Sequence, residues 1–279
     1  MPRSRSLPPI VLAFAGSDPS GGAGLQADLL TLAALGCHPL SVVTAITVQD
    51  TSGVAAVYPV SADWVAQQAR AVLADMPVGA FKIGMVATHE NVAAIAAVID
   101  EHPALPVVLD PVLTSGRGDP LGAGDVATAL VELLVPRATV VTPNSLEARS
   151  LAAAPGERTD ALPLERCAER LTARGAKFVL VTGTHEPTHE VVNALYDVRG
   201  LIRTDRWERL PGEYHGSGCT LASAVAAGLA HGLVVPEAVQ AAQRFTWQTL
   251  ADGFRAGAGQ AIPDRFFRLR AAAADAVHE

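Results

Sequence analysis

Aromatic residues, charged residues and cysteines are all scarce in this sequence. Aromatic residues make up 5% of the 279 residues and charged residues 18%, whereas apolar residues make up 49%. The core must therefore be aliphatic, and the composition is typical of a compact enzyme rather than of a disordered or fibrous chain. The length is compatible with one α/β domain. We predict a single domain over residues 1–279, with flexible tails at 1–9 and about 265–279.

Basic residues are fewer than acidic ones, 21 against 28, and long apolar segments are absent. The net charge of −7 argues against broad electrostatic attraction to nucleic acid or to anionic membranes, whose protein partners present a basic face. No segment approaches the ~20 uninterrupted apolar residues of a membrane span. The sequence therefore predicts no nucleic-acid partner and no membrane partner, and an anionic ligand has to be held by a local feature.

The cysteines are few, and their spacing carries information. Cys37, Cys167 and Cys219 are odd in number, far apart and form no CxxC pair, which indicates neither a disulfide framework nor a zinc site. A reducing compartment is the natural environment for such a chain, and we predict that the protein is cytoplasmic.

Short apolar segments alternate with longer segments of helical periodicity. The predicted strands lie at 10–16, 41–48, 81–85, 106–112, 138–144 and 177–183. The predicted helices lie at 23–36, 61–75, 88–101, 122–134, 144–153, 161–174, 217–232 and about 236–255. This alternation predicts an α/β fold with a mostly parallel sheet buried on both faces, and residues 191–210 predict an antiparallel pair at one edge.

Polar and glycine-rich residues follow the predicted strands, at the sheet edge where open α/β sheets bind ligands. The first such segment, GSDPSGGAG at 16–24, fits neither the dinucleotide fingerprint nor the phosphate loop with its lysine. It can bring backbone N–H groups to a ligand, and a plain strand-to-helix turn explains it at least as well. Asp28, one turn into the next helix, is either a surface carboxylate or an acceptor that faces the substrate.

Two further motifs have structural interpretations. GAGD at 122–125 lies in the middle of the chain before an amphipathic helix, and we interpret it as a helix start with Asp125 favoured by the helix dipole. HEPTH at 185–189 has the spacing of a helical metal pair, but it contains Pro187. We therefore predict a loop there rather than a zinc site.

GSGC at 216–219 is the strongest candidate for chemistry. A helix that begins at Ser217 has unpaired backbone N–H groups and a partial positive charge at this end, so Gly216, Ser217 and Gly218 can surround phosphate oxygens. We expect the same dipole to lower the pKa of the Cys219 thiol, which would make it a proton acceptor or a polar contact for a reacting hydroxyl. The alternative is an inert buried thiol.

TPNSLEA at 142–148 also has two interpretations. Asn144 and Glu147 have the spacing of a helix capping box. In the functional alternative, the two side chains lie in the water shell of a Mg²⁺ ion that bridges nucleotide phosphates.

Seven segments together resemble one enzyme family. They are AGSDPSGGAGLQADL, TAITVQDTSGV, KIGM, VVLDPV, GDPL, TPNSLEA and HGSGCTL, in this order between about residues 10 and 255. The set is similar to the hydroxymethylpyrimidine and phosphomethylpyrimidine kinases of thiamine biosynthesis, the ThiD family of the ribokinase-like superfamily. The resemblance implies a three-layer α/β/α sandwich and a homodimer. It also implies a kinase that uses ATP and Mg²⁺ to phosphorylate 4-amino-5-hydroxymethyl-2-methylpyrimidine and then its monophosphate.

The resemblance implies a role for each matching residue. Gln49 would recognise the aminopyrimidine, and four further residues would line the ring pocket: Gly16, Asp28, Val48 and Met85. Cys219 would stand at the position of the family's proposed base, with an anion hole formed by the backbone of Gly216, Ser217, Gly218 and Cys219. The phosphates and the metal would be organised by Asp110, Asn144 and Glu147, with Asp110 and Glu147 acting on Mg²⁺ through water.

The nucleotide side departs from the family pattern at two lysines. Thr182 stands where members have a lysine in the MKGGH segment, and Gly116 replaces another lysine, whose charge the neighbouring Arg117 can supply. Two alternative functions stay open at this point. One is a pyridoxal-type kinase, against which Gln49 and Met85 favour the pyrimidine. The other is a catalytically weak pyrimidine-binding protein.

Overall fold

The computed structural model describes residues 7–114, 125–154 and 156–270. The strands in these residues belong to one nine-stranded sheet with the order β3-β2-β1-β4-β5-β6-β7-β8-β9. They are β1 (Ile10–Ser17), β2 (His38–Asp50), β3 (Gly53–Pro59), β4 (Ala80–Ile83), β5 (Val107–Leu109), β6 (Val140–Val141), β7 (Phe178–Val181), β8 (Glu190–Asp197) and β9 (Gly200–Glu208). Six neighbouring strands, β2, β1, β4, β5, β6 and β7, are parallel to one another, which confirms the predicted mostly parallel sheet.

Helices cover both faces of this sheet. They are α1 (Gly24–Ala34), α2 (Ala62–Asp75), α3 (His89–Asp100), α4 (Val126–Ala129), α5 (Ser145–Ala152), α6 (Leu164–Ala173), α7 (Ser217–Ala230) and α8 (Val235–Ala251). One buried apolar cluster joins α2 to α6 to the sheet, and a second joins α1, α7 and α8 to the opposite face. The chain is therefore the three-layer α/β/α sandwich that the resemblance implied. In the described residues, no helix is long and apolar enough to cross a membrane.

The core is aliphatic, as the composition predicts, and strand alternation divides it between the two faces. Along β1, Val11 packs with the α1, α7 and α8 layer, while Leu12 and Phe14 pack with the α2 to α6 layer. Phe14 and Phe81 form one of the few aromatic pairs, with ring centroids 6.1 Å apart. Burial on both faces explains why the central strands are continuous apolar segments in the sequence.

Three local predictions differ from the structure. The sheet has a second antiparallel edge, because β2 runs on to Asp50 and β3 turns back along it. The predicted helix at 122–134 begins, within the described residues, with α4 and continues through a π-helical turn to Leu134. A flexible tail was predicted from about residue 265, but Arg265 is buried, with only 3% of its surface exposed. Residues 271–279 lie outside the described part.

Candidate active site at the start of helix α7

Two glycine-containing segments meet at the C-terminal edge of β1. Gly216, at the N-cap of α7, has a φ of 80°. A Cβ atom there would lie 2.0 Å from the carbonyl oxygen of Gly22 and 2.8 Å from Cα of Ala23. Only glycine permits both this backbone conformation and this approach. The close contact places the start of α7 directly against the loop that follows β1.

Asp18 organises that loop from within. Its carboxylate accepts hydrogen bonds from the backbone N–H groups of Ser20 (2.9 Å) and Ala23 (2.6 Å) and from the Ser20 hydroxyl (3.0 Å). Ala23 is the N-cap of α1, so Asp18 also supplies an acceptor at the helix start. These bonds support the interpretation of GSDPSGGAG as a strand-to-helix turn.

Gln49 lies in this part of the site, with a neighbour that the sequence reasoning missed. Its amide nitrogen is 2.7 Å from Nε2 of His215, and the same Nε2 is 3.0 Å from Oδ2 of Asp18. On the other side, Oε1 of Gln49 is 3.2 Å from the hydroxyl of Thr47. His215 directly precedes the GSGC motif, and this adjacency is the only signal that the sequence offered for it.

Two of the expected pocket residues meet beside β2, and a third does not. A Cβ atom on Gly16 would lie 3.0 Å from the sulfur of Met85, so Gly16 and Met85 are neighbours. The Val48 side chain is 63% exposed, because successive side chains of a strand point to opposite faces. Expecting Val48 to line the pocket beside Gln49 with its side chain was therefore wrong. Thr47 shares the face of Gln49.

Asp28 is fully buried, whereas a substrate-facing carboxylate would be open to a ligand. Both carboxylate oxygens are buried: Oδ1 accepts from the Ser223 hydroxyl at 2.8 Å, and the Lys82 ammonium lies 2.8 Å from Oδ1 and 2.9 Å from Oδ2. A carboxylate with no exposed surface needs such an ionic partner. Asp28 therefore holds Lys82 below the start of α7.

Lys82 is the second residue that the sequence reasoning missed. Its side chain is 0% exposed, and a Cβ atom on Gly84 would lie 2.6 Å from its Nζ. Burial opposes the charged ammonium, but the charges of Asp28, Cys219 and Asp110 outweigh burial and raise the pKa of Lys82. A lysine within the apolar segment FKIGM was the available signal, because an unpaired buried lysine is rare.

Asp110, at the end of β5, is close to the α7 start. A Cβ atom on Gly218 would lie 3.8 Å and 3.9 Å from its two carboxylate oxygens, and Oδ2 has no hydrogen-bond partner. Burial raises the pKa of Asp110 to about 6, an effect that Lys82 opposes. Burial, followed by the charge of Asp110, raises the pKa of Glu147 to about 8. The structure thus brings two poorly compensated carboxyl groups together.

Asn144 and Glu147 form the predicted capping box of α5. The Asn144 side chain accepts from the N–H groups of Leu146 (2.9 Å) and Glu147 (3.0 Å), and Oε2 of Glu147 accepts from the Asn144 N–H at 2.9 Å. Thr182 pairs with Asn144 in an isolated parallel bridge. Asn144, Glu147 and Thr182 therefore lie beside one another, whereas Arg117 lies outside the described residues.

The Cys219 thiol does not have the expected acidity. Cys219 is half-buried in the first turn of α7. Burial raises the pKa of its thiol to about 12, although the positive charge of Lys82 acts in the opposite direction. The prediction of a thiol pKa lowered by the helix dipole was wrong, because desolvation and the neighbouring carboxylates dominate.

The remaining candidate motifs are not part of this cluster. HEPTH forms a loop, as predicted, and its Glu186 pairs with Arg149 at 2.6 Å. Asp125 is exposed and stands at the N-cap of α4 without a side-chain capping bond, while residues 122–124 lie outside the described part. Within the described residues, no group of three potential metal-ligating side chains is present.

Comparisons with known proteins identify the relatives of this chain. Residues 18–264 match the family model described as phosphomethylpyrimidine kinase. A hydroxymethylpyrimidine/phosphomethylpyrimidine kinase of Rhizobium meliloti is 43% identical over 93% of this chain and 97% of its own length. The solved pyridoxal kinase of Staphylococcus aureus in complex with ADP has a TM-score of 0.83 and 30% identity, covering 95% of this chain and 96% of that chain. The phosphomethylpyrimidine kinase of Clostridium difficile has a TM-score of 0.74 and 35% identity, covering 87% and 99%.

The fold and these similarities thus define the class of protein, a small-molecule phosphotransferase with the ribokinase-like fold. Sequence identity then narrows the class. The chain belongs to the phosphomethylpyrimidine kinase family.

Proposed function

We propose that this protein transfers the γ-phosphoryl group of ATP to 4-amino-5-hydroxymethyl-2-methylpyrimidine and then to the monophosphate, as thiamine biosynthesis requires. The family membership supports the reaction and the pathway. The observation that carries the proposal is the position of Gly218, whose Cβ would lie 3.8 Å and 3.9 Å from the two carboxylate oxygens of Asp110. An anion-binding helix start and an acidic cation site therefore face each other.

Each half of the site has its own task in this reaction. The N–H groups of Ser217, Gly218 and Cys219 belong to the first turn of α7 and have no acceptor within the helix. We assign them to the oxygens of the transferred phosphoryl group, where the helix dipole adds positive potential. Gln49 and Met85 hold the ring, with Gly16 leaving space beside Met85.

The acidic residues fit a Mg²⁺ ion. Hard cations prefer carboxylate oxygens and water. Asp110 offers a buried Oδ2 without a partner, and Glu147 has a carboxyl group that burial keeps from ionising. Asp110 and Glu147 would hold the ion, which would supply positive charge to offset the negative charge of the nucleotide phosphates. Asp110 and Glu147 would both act on the ion through water. Thr182 and Asn144 would bind the nucleotide phosphates beside them, with Arg117 contributing charge.

In this mechanism the Cys219 thiol contacts the substrate and does not act as a thiolate base. With a pKa of about 12, the thiolate amounts to only about one molecule in 10⁵ at pH 7. The loose transition state of phosphoryl transfer depends mostly on positioning and charge stabilisation. We therefore assign the Cys219 thiol to the wall that orients the substrate hydroxyl.

Measurement of ADP release tests the function directly. The protein is incubated with MgATP and, in separate reactions, the pyrimidine alcohol, its monophosphate or pyridoxal, with a reaction lacking acceptor as the blank. We expect ADP with the alcohol and the monophosphate. ADP with pyridoxal alone would favour the second candidate, which the fold similarity to the S. aureus pyridoxal kinase supports. Ring binding without ADP release would indicate the pyrimidine-binding protein.

The proposal includes a cytoplasmic homodimer. None of the three cysteines, all within the described residues, is disulfide-bonded, as a reducing compartment requires. For the dimer, the outer face of the β2–β3 pair offers an apolar surface: Ile46 pairs with Tyr58 across the strands, and both are exposed together with Val48. Light scattering of the wild type and of Tyr58→Glu tests this arrangement, with a monomeric wild type as the contrary result.

A further inference from the structure

Gln49 shares a buried polar cluster with three side chains from other parts of the chain. Nε2 of His215 lies between the Gln49 amide at 2.7 Å and Oδ2 of Asp18 at 3.0 Å, and the Thr47 hydroxyl lies 3.2 Å from the other end of the amide. Asp18, Thr47 and His215 are all buried. The residue that is expected to recognise the ring is therefore held from two sides.

The His215 ring is fixed in place by its surroundings. A Cβ atom on Gly22 would lie 2.3 Å from Cδ2 of His215, so the loop backbone packs against the imidazole. The Arg265 guanidinium donates to the carbonyl of Gly22 at 2.6 Å and thereby anchors that loop. The N–H of His215 donates to the carbonyl of Ala261 at 2.8 Å. Rotation of the ring away from Gln49 would break this packing.

The position of Asp18 determines which hydrogen His215 carries. Burial raises the pKa of Asp18, but hydrogen bonds from His215, Ala23 and Ser20 outweigh burial and hold the pKa below its usual value. Asp18 is therefore ionised. A lone pair on Nε2 would face this carboxylate at 3.0 Å and be repelled, so Nε2 carries a hydrogen. This holds for the neutral Nε2–H tautomer and for the charged ring alike.

The single hydrogen on Nε2 faces both Oδ2 of Asp18 and the Gln49 amide. It can serve both only as a shared three-centre bond, and such a bond requires an acceptor atom on Gln49. The amide nitrogen can only donate, so two donors would oppose each other across 2.7 Å. The Thr47 hydroxyl donates to the carbonyl of Ser17 at 2.8 Å, which leaves its oxygen free to accept. A half-turn of the Gln49 amide satisfies both contacts at once, because Oε1 then faces His215 and the NH₂ group faces Thr47.

The locked Gln49 amide keeps one N–H and one oxygen lone pair free for a ligand. The N–H lies on the Thr47 side and the oxygen on the His215 side. This arrangement is complementary to an edge on which a ring nitrogen accepts and an adjacent amino group donates. A lactam edge, on which a ring N–H donates and the adjacent carbonyl accepts, has its donor and acceptor in the opposite order. Gln49 could match that edge only by turning back, which would cost its bonds to His215 and Thr47.

We propose that His215, oriented by Asp18, is a positioning residue that locks the Gln49 amide and makes the site select rings with an amidine edge over rings with a lactam edge. The inference rests on the proposed function, in that Gln49 is taken to bind the ring. It adds the residue that decides how Gln49 reads that ring. Without the lock, Gln49 would accept either edge by turning its amide.

Binding of two matched ligands tests the lock. The 4-amino pyrimidine alcohol and its 4-oxo analogue are titrated into the full chain by calorimetry without ATP, so that ring recognition is measured separately from phosphoryl transfer. We expect the wild type to prefer the amino ring by about 100-fold, because the lactam edge leaves buried groups unpaired. In His215→Phe, which keeps an aromatic ring but lacks the N–H, we expect the preference to fall to about tenfold or less.

Two more variants separate positioning from a merely structural effect. His215→Gln places an N–H near the former Nε2, and we expect it to restore the preference to within about threefold of the wild type. In a Gln49→Ala background, His215→Phe should change the preference by less than about twofold, because the two residues act as one unit. Thermal unfolding of each variant confirms that it is folded. If His215→Phe does not fold, the wild-type preference and the effect of Gln49→Ala on it decide the outcome.

Several results would overturn the proposal. One is a wild type that binds both rings equally, another is an unchanged preference in His215→Phe, and a third is an equally large effect of His215→Phe in the Gln49→Ala background. The kinase assay remains independent of these results. ADP release with the pyrimidine alcohol together with an unchanged preference would refute the lock and leave the proposed function standing. A wild type that binds neither ring would contradict both.

Discussion

The ring side and the phosphate side of this site differ in how their polar groups are satisfied. On the ring side, Asp18 accepts from two backbone N–H groups, a hydroxyl and His215. On the phosphate side, Oδ2 of Asp110 is buried without a hydrogen-bond partner. In the first region the protein itself supplies the partners of the buried carboxylate, whereas in the second a buried carboxylate oxygen has no partner from the protein.

This difference indicates how the site works. A pre-organised ring pocket binds its substrate without reorganisation. The buried Oδ2 of Asp110 has no hydrogen-bond partner, which costs stability. The proposed binding of a cation and phosphates beside the α7 start would account for this cost. Lys82 lies between the two regions and compensates part of this negative charge.

Removal of the Lys82 charge, which lies between the two regions, should have the largest effect on stability. Lys82→Met leaves the buried Asp28 carboxylate without its cation, so we expect a loss of about 3–5 kcal/mol in the free energy of unfolding. Urea denaturation measures this loss. Lys177 is exposed, and Lys177→Met should change the stability by less than about 0.5 kcal/mol. Equal stabilities of the two variants would show that the Asp28–Lys82 pair does not compensate the buried charge.

Disruption of the close contact between Gly216 and the Gly22 carbonyl should have the second-largest effect. Gly216→Ala introduces a Cβ atom 2.0 Å from the Gly22 carbonyl oxygen, which displaces the α7 start from the glycine loop. We expect kcat/KM to fall about 100-fold, since small misplacements of reacting groups have effects of this size. Gly200→Ala is the matched control, because Gly200 also has a positive φ (113°) but has open space around it. A comparable loss in both variants would assign the effect to backbone strain alone.

The thiol should matter less than a catalytic base would. Because Cys219 is protonated at neutral pH, Cys219→Ala is expected to lower kcat about tenfold through lost positioning, whereas loss of a general base costs about 10²–10⁴-fold. The KM for the pyrimidine should change little. Steady-state ADP release measures both constants. A loss above 1,000-fold (about 4 kcal/mol) in Cys219→Ala and in Cys219→Ser would restore the assignment of the base.

The stability of the protein should depend on pH through the buried carboxyl groups on the phosphate side. In the absence of Mg²⁺, the raised pKa values of Asp110 (about 6) and Glu147 (about 8) mean that the native state binds more protons than the unfolded state above about pH 4. Stability must therefore fall as the pH rises through this window. We therefore expect a lower Tm at about pH 8.5 than at pH 5.

Added Mg²⁺ should reduce this pH dependence, because a bound cation favours the ionised carboxylates. The double variant Asp110→Asn/Glu147→Gln should lack the contribution, with or without Mg²⁺. Thermal unfolding monitored by circular dichroism provides the Tm values. A wild-type Tm that stays constant or rises over this pH range, once the change in the double variant is subtracted, would contradict the raised pKa values.

Local patterns predicted the elements of this fold well. Alternating apolar and helical segments located the parallel strands and the helices, and Asn144 with Glu147 defined a capping box that the structure confirms. These features depend on residues close together in the chain. The second antiparallel edge was missed because no residue of β3 is buried, so its pattern does not stand out from that of a loop.

The sequence by itself thus determined the sheet, its helical layers and the family, together with the importance of the α7 start. Only the tertiary structure decided the state of the side chains there. It pairs Asp28 with Lys82, places His215 between Gln49 and Asp18, and raises the pKa of the Cys219 thiol instead of lowering it. Burial and charge depend on contacts between residues that are far apart in the chain, such as Asp18 and His215. Local spacing carries no information about them.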